Sequence, residues 1–196
     1  MKHTYLGACA VAAGLLCFGS ASANDRIEKI VQFSGAIGSQ PLAAGANVPN
    51  DVLGILPGGR PWELRKFRAS VDTQGVLRAK GSGLILGGGS NIGRPAIPRN
   101  IQATLICSAT AAAPVATSPA WNSVAVALNE FGDFAIDAPL KPVAPNLTLV
   151  PPNPCNFPIL LIRTSAAATV PGADPTPGAW FAAGIPSRAD RGHDDD

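Results

Sequence analysis

All nineteen prolines of this chain fall beyond Ala23, and they recur too often for a long helix to survive between them. Proline fixes φ and lacks the amide hydrogen that an interior helical residue must donate, so each one ends or kinks a helix. Twenty-one glycines add further turn capacity. What remains is a series of short apolar runs bounded by turn residues, the pattern of an all-β domain.

Residues 1–23 stand apart from that pattern. Lys2 supplies a positive start, Leu6 to Phe18 is almost continuously apolar, and Ala21-Ser22-Ala23 offers small residues for cleavage. This is the pattern of an export signal, so the mature chain is expected to begin at Asn24 and to act in the periplasm or outside the cell. Leu6-Gly7-Ala8-Cys9 has the look of a lipoprotein acylation box, but no apolar region precedes it, which favours a soluble exported protein. No later run approaches the roughly 20 residues of a transmembrane helix, so no transmembrane segment is expected. Residues 24–186 read as one domain with a long Gly/Pro-rich loop near 35–60. Residues 187–196 read as a disordered polar tail ending in three aspartates.

The formal charge of +2 includes Lys2, so the mature chain is nearly neutral. Nucleic-acid binders carry a large basic excess, and no nucleic-acid partner is expected. Cys9 and Cys17 leave with the signal. Cys107 ends the apolar run Ile101–Ile106, and Cys155 follows Pro151-Pro152-Asn153-Pro154 just before Pro158–Ile162. Two cysteines beside strand-like runs in an exported chain predict one disulfide. A metal pair would require further His or Cys ligands, and none is near in sequence.

Strands are expected over Arg26–Ser34, Trp62–Val71, Val76–Leu86, Ile101–Ala109, Ser123–Leu128, Asp133–Asp137, Pro158–Thr164 and Ala179–Ile185, with a proline-rich crossing over Ala138–Pro154. Asp72-Thr73-Gln74-Gly75 predicts a tight turn, because Asp bonds its own backbone two residues on and Gly accepts φ > 0. Alternation then sets the register: Val71 opposite Leu77 and Ala69 opposite Ala79 on an inner face with Phe67, Arg68 opposite Lys80 and Ser70 opposite Arg78 on the outer. Asn129–Gly132 predicts a second hairpin turn. About eight short strands with one staple suggest an antiparallel β-sandwich, immunoglobulin-like in architecture, with a small closed β-barrel as the alternative.

Function is less legible. The histidines are His3 and His193, one in the signal and one in the tail, so the domain has no imidazole base for a nucleophilic triad. No catalytic residue, metal site or cofactor is expected. A carboxylate pair drawn from Glu130, Asp133 and Asp137 would be the route to an exported glycan hydrolase. Gly81-Ser82-Gly83 leads into no helix, which leaves these glycines as strand bends rather than a phosphate loop. Arg60, Arg65, Lys66, Arg68, Arg78, Lys80, Arg94 and Arg99 crowd one region that holds only Glu63 and Asp72 as acids. Within that group Arg65, Lys66, Arg68, Arg78 and Lys80 form a candidate surface for an anionic envelope component or protein. Trp180 reads as core, Trp62 as a cap on the hydrophobic layer, and Trp121 as the exposed candidate for stacking on a ligand. His193 with Asp194–Asp196 reads as a solvated tail, and Asn146-Leu147-Thr148 matches a glycosylation acceptor. The expectation is an exported, non-catalytic binding or structural module.

Overall fold

The computed structural model describes residues 27–41, 50–96, 99–108, 118–166 and 174–187. The expected signal and residues 188–196 lie outside them. The described residues hold ten strands, in chain order β1 (Lys29–Gly38), β2 (Trp62–Asp72), β3 (Val76–Leu86), β4 (Asn100–Ile106), β5 (Ala120–Asn122), β6 (Val126–Ala127), β7 (Phe134–Pro139), β8 (Lys141–Pro142), β9 (Ile159–Ser165) and β10 (Pro177–Ser187). All pairings between them are antiparallel, and they form one sheet in the order β7-β3-β2-β1-β10-β9-β4-β5-β8, with β6 also on β4.

The two ends of that order, β7 and β8, are consecutive in the chain and separated only by the buried Leu140. One strand therefore leaves β3 and joins β5, and this seam nearly closes the sheet into a barrel. Backbone bonds continue through the seam, from Leu140 N to Gly75 O at 2.9 Å and from Val143 N to Ala120 O at 2.9 Å. The all-β expectation holds in its barrel form rather than as two stacked sheets. A single core, from Val31 and Phe33 on β1 to Leu160 and Ile162 on β9, fills the interior.

The first hairpin has the register that alternation predicts, including Val71↔Leu77, Ala69↔Ala79, Arg68↔Lys80 and Ser70↔Arg78. Its faces exchange once. Trp62 and Leu64 point inward, Arg65 and Lys66 are both exposed, and Phe67, Ala69 and Val71 resume burial. On the facing strand Gly83 takes φ +72°, and a Cβ there would lie 2.6 Å from Arg65 Cδ. Both strands thus switch sides at the same level and keep register, which turns a barrel corner with a left-handed residue that only glycine adopts freely. Gly81 serves the core differently: the Phe134 ring occupies the space its side chain would need.

Asp72 anchors the turn below this hairpin. Its Oδ1 accepts from the amides of Gln74 and Val76, both at 3.0 Å, and its Oδ2 accepts from Arg78 at 2.8 Å. Burial pushes the Asp72 carboxyl up, but these hydrogen bonds and the Arg78 charge outweigh it and hold it below 3.8. A folded pKa below the unfolded one stabilises above the unfolded value and is lost as pH falls through the folded one. Asp72→Asn is therefore expected to cost about 1–3 kcal/mol near neutral pH. The gap to wild type should narrow below pH 3.8, and urea midpoints across the acid range would show it. A gap independent of pH would refute the assignment.

The expected second hairpin is only a turn. Asn129 N donates to Asp133 O and Gly132 N to Asn129 O, but the flanking segments diverge. β6 pairs with β4, and β7 pairs with β3. The expected loop near 35–60, of which residues 42–49 lie outside the described residues, differs in its described parts. Gly35–Gly38 extends β1, and residues 50–60 form a strap across the outer face of β10. Leu53 and Gly54 turn at positive φ between the mutually bonded Val52 and Ile55. Trp180 N then donates to Leu56 O, and Gly58 N to Trp180 O. Ile55 packs with Trp180, Leu161, Ile106 and Ala120 in a second, outer cluster, which explains why β4 and β9 are buried on both faces.

Cys107 and Cys155 form the predicted disulfide, with Cα atoms 5.0 Å apart. Cys107 follows β4, Cys155 precedes β9, and these strands pair along their full length. Everything from β5 to β8 is an excursion between the paired strands β4 and β9 that runs from β4 out to β3 and back to β5. The spatial order β9-β4-β5-β8 is a Greek key clamped at its neck.

Candidate functional site

Two regions of the described residues gather several cations without a carboxylate partner. The first is the outer face of β2 and β3. Arg65, Lys66, Arg68 and Lys80 are exposed, and among the described residues no carboxylate lies within 4.0 Å of any of them. Arg68 and Lys80 are direct cross-strand partners. Neutral Ser34 and Gln32 of β1 continue the face beyond Arg68. Arg78 behaves differently from its expected companions. It bonds Asp72 at 2.8 Å and lies 3.6 Å from Asp137 of β7, so its charge is offset locally.

The three candidate carboxylates do not assemble around a cleft. Asp133 Oδ1 accepts from the Ser82 hydroxyl at 2.7 Å and the Gly83 amide at 2.9 Å. It thereby caps the β3 corner, and these bonds hold its carboxyl below the ordinary carboxylate value. A general acid needs the opposite shift. Asp137 pairs with Arg78, and Glu130 sits exposed in the Asn129–Gly132 turn. Among the described residues, no three His, Cys, Asp or Glu side chains are grouped to hold a metal ion. No described helix is long and apolar enough to cross a membrane.

Trp121 is not the exposed stacking residue that its Ser-Pro-Ala-Trp-Asn context suggests. It is 1% exposed, lies on β5, and donates from Nε1 to Thr148 O at 2.9 Å. The carbonyl comes from the proline-rich crossing, a long-range cover that local sequence cannot reveal. Trp180 is core, as expected, but of the outer cluster, with its indole bonded to Asn50 O at 3.2 Å.

The second charged region is a pocket of about 440 Å³ at the barrel mouth, where β2 begins and β3 ends. Its floor is Trp62 stacked on Phe181 of β10, with ring centroids 4.2 Å apart. Above them lies the Arg99 guanidinium, 5.8 Å from the Trp62 centroid and 5.3 Å from that of Phe181. Arg99 Nε donates to Ala96 O at 3.1 Å and Nη1 to Thr164 Oγ1 at 3.3 Å. The strap contributes Gly58, Gly59 and Arg60, and the loop after β3 contributes Asn91 and Ala96. Gly58 has no room for a side chain, since a Cβ would meet Trp62 Nε1 at 2.7 Å and Phe181 at 2.9 Å. Reading the sequence groups Arg60 and Arg99 with the basic cluster and Trp62 with the core, and does not join them. The usable signal is that Trp62 starts β2 and Arg99 immediately precedes β4, which places both at the same end of an antiparallel barrel.

A further arginine is structural. Arg163, 9% exposed, donates to Gly178 O, Pro177 O and Thr104 Oγ1, and so ties β9 to the start of β10. Burial pushes its guanidinium down to about 10, which leaves it charged at neutral pH. The chain matches no protein-family model, and no curated protein or solved structure is detectably similar to it.

Proposed function

We propose that this chain is an exported, non-catalytic β-barrel protein that docks on an anionic component of the cell envelope through the outer face of β2 and β3. The observation that carries the reading is the set of four exposed cations, Arg65, Lys66, Arg68 and Lys80, on two paired strands with no carboxylate within 4.0 Å among the described residues. Like charges directly opposite one another cost stability, so Arg68 facing Lys80 is a placement that an anionic partner relieves. The face lies on the paired strands β2 and β3 and is bordered on one side by Asp133 and Asp137, which limits its width. Export rests on the leader-like residues 1–23, and the disulfide is at home in an oxidising compartment.

The test is co-sedimentation of the mature protein with vesicles of anionic phospholipid and with an acidic polysaccharide. Binding is expected at low salt and should be lost at about 1 M salt, where the Debye length is about 3 Å. Arg68→Gln and Lys80→Gln should each weaken it by about 1 kcal/mol. Arg78→Gln should change it less, because Arg78 is already paired. Absence of binding at low salt, or binding indifferent to salt, would remove the proposal.

A further inference from the structure

The mouth pocket is separate from the β2–β3 face and has a different chemistry. Arg99 offers five N–H groups in a planar fork. Two of them are occupied by Ala96 O and Thr164 Oγ1, and the others have no acceptor among the described residues. Among the described residues no aspartate or glutamate lines the pocket, and no carboxylate lies within 4.0 Å of Arg99 or Arg60.

A half-buried guanidinium without a counter-ion is costly, and here part of the compensation comes from the faces of Trp62 and Phe181. Those rings are only 3% and 2% exposed, so they support the cation and are not themselves a stacking platform. A ligand in the pocket meets Arg99 first.

We infer that this pocket binds a small organic acid, whose carboxylate or phosphate pairs with Arg99 and whose compact body lies against Ala96 and Ala179. The planar fork suits either headgroup, because both accept two parallel N–H bonds. The volume of about 440 Å³ lies within the range of small-molecule sites. The walls are set in advance. The Gly58 backbone is pressed against both rings, and Arg99 is tethered at two nitrogens. Arg60, exposed on the strap, adds a second positive charge.

The experiment follows the Trp62 indole N–H and the Arg99 Nε–H by NMR in the mature, oxidised protein. The probes are benzoate, inorganic phosphate and the neutral benzyl alcohol. Saturable shifts of both signals are expected with at least one anion and not with the alcohol. Benzoate alone would identify a carboxylate ligand, phosphate alone a phosphate ester, and both the shared chemistry.

Arg99→Gln should weaken binding by about tenfold or more, with Arg99→Lys in between. Ala179→Leu, which intrudes on the wall where the ligand body lies and leaves every charge in place, should weaken it by about tenfold or more and covers the case in which Arg99→Gln does not fold. Arg68→Gln/Lys80→Gln should bind as wild type does, so the pocket and the outer face succeed or fail separately. Shifts that do not saturate, equal shifts with benzyl alcohol, or undiminished binding in Arg99→Gln or Ala179→Leu would overturn the inference.

Discussion

Replacing Cys107 and Cys155 together by alanine is expected to lower the unfolding free energy by about 4 kcal/mol, the chain-entropy value for a loop of this size. The bridge spans 48 positions, and the excursion it encloses holds β5, β6, β7 and β8. Three of those strands have three residues or fewer, and none could hold its place alone. With the neck open, the unfolded chain regains the freedom of that whole excursion, while the folded barrel loses only two buried sulfurs. Denaturant midpoints of the oxidised wild type, the reduced wild type and the double variant would measure this. A difference under about 1 kcal/mol would mean that the bridge constrains nothing that β4–β9 pairing does not already hold.

The second large effect is expected at Gly132. Its φ of +77° already disfavours any side chain, and a Cβ there would sit 2.4 Å from Leu84 O and 2.9 Å from Leu84 N. These are backbone atoms of a central strand and cannot swing away. Gly132 O also accepts from Leu84 N at 2.8 Å, so displacement breaks a bond that docks the Asn129–Gly132 turn on β3. Gly132→Ala is therefore expected to cost about 3–4 kcal/mol, combining left-handed strain with a backbone clash. Gly93 is the control, with the same φ of +77° and nothing within 4 Å of its added Cβ. Gly93→Ala should show strain alone, about 1 kcal/mol. Equal melting shifts for the two variants would contradict the clash.

The contrast between these glycines also marks what a sequence reveals. The β2–β3 hairpin was legible because Phe67, Ala69 and Val71 alternate up to an Asp-to-Gly turn, and a one-residue slip would bury Arg78 and Lys80. The disulfide was legible because only two cysteines follow the leader-like segment. Long-range docking was not. Val52–Leu56 reads as an apolar patch within a long loop, and nothing local says that Ile55 packs on Trp180. Val124, Val126 and Leu128 alternate like a hairpin arm, yet the barrel sends β6 to β4. The mouth pocket draws on the strap, four strands and two loop segments, so its Arg99–Trp62–Phe181 stack appears only once the closure is known.

The seam between β7 and β8 has a consequence for life at high concentration. A sheet edge is a template for recruiting other chains, and most barrels remove it by closing completely. Here β7 pairs with β3 along one side, and among the described strands the other side is approached by the two-residue β6. The strand left partly open is six residues long, carries the exposed Asp137 and ends at Pro139, which has no amide hydrogen to offer. Brevity, a charge and a proline along β7 leave an incoming strand little to pair with there. The barrel thus resists templated aggregation without being fully closed.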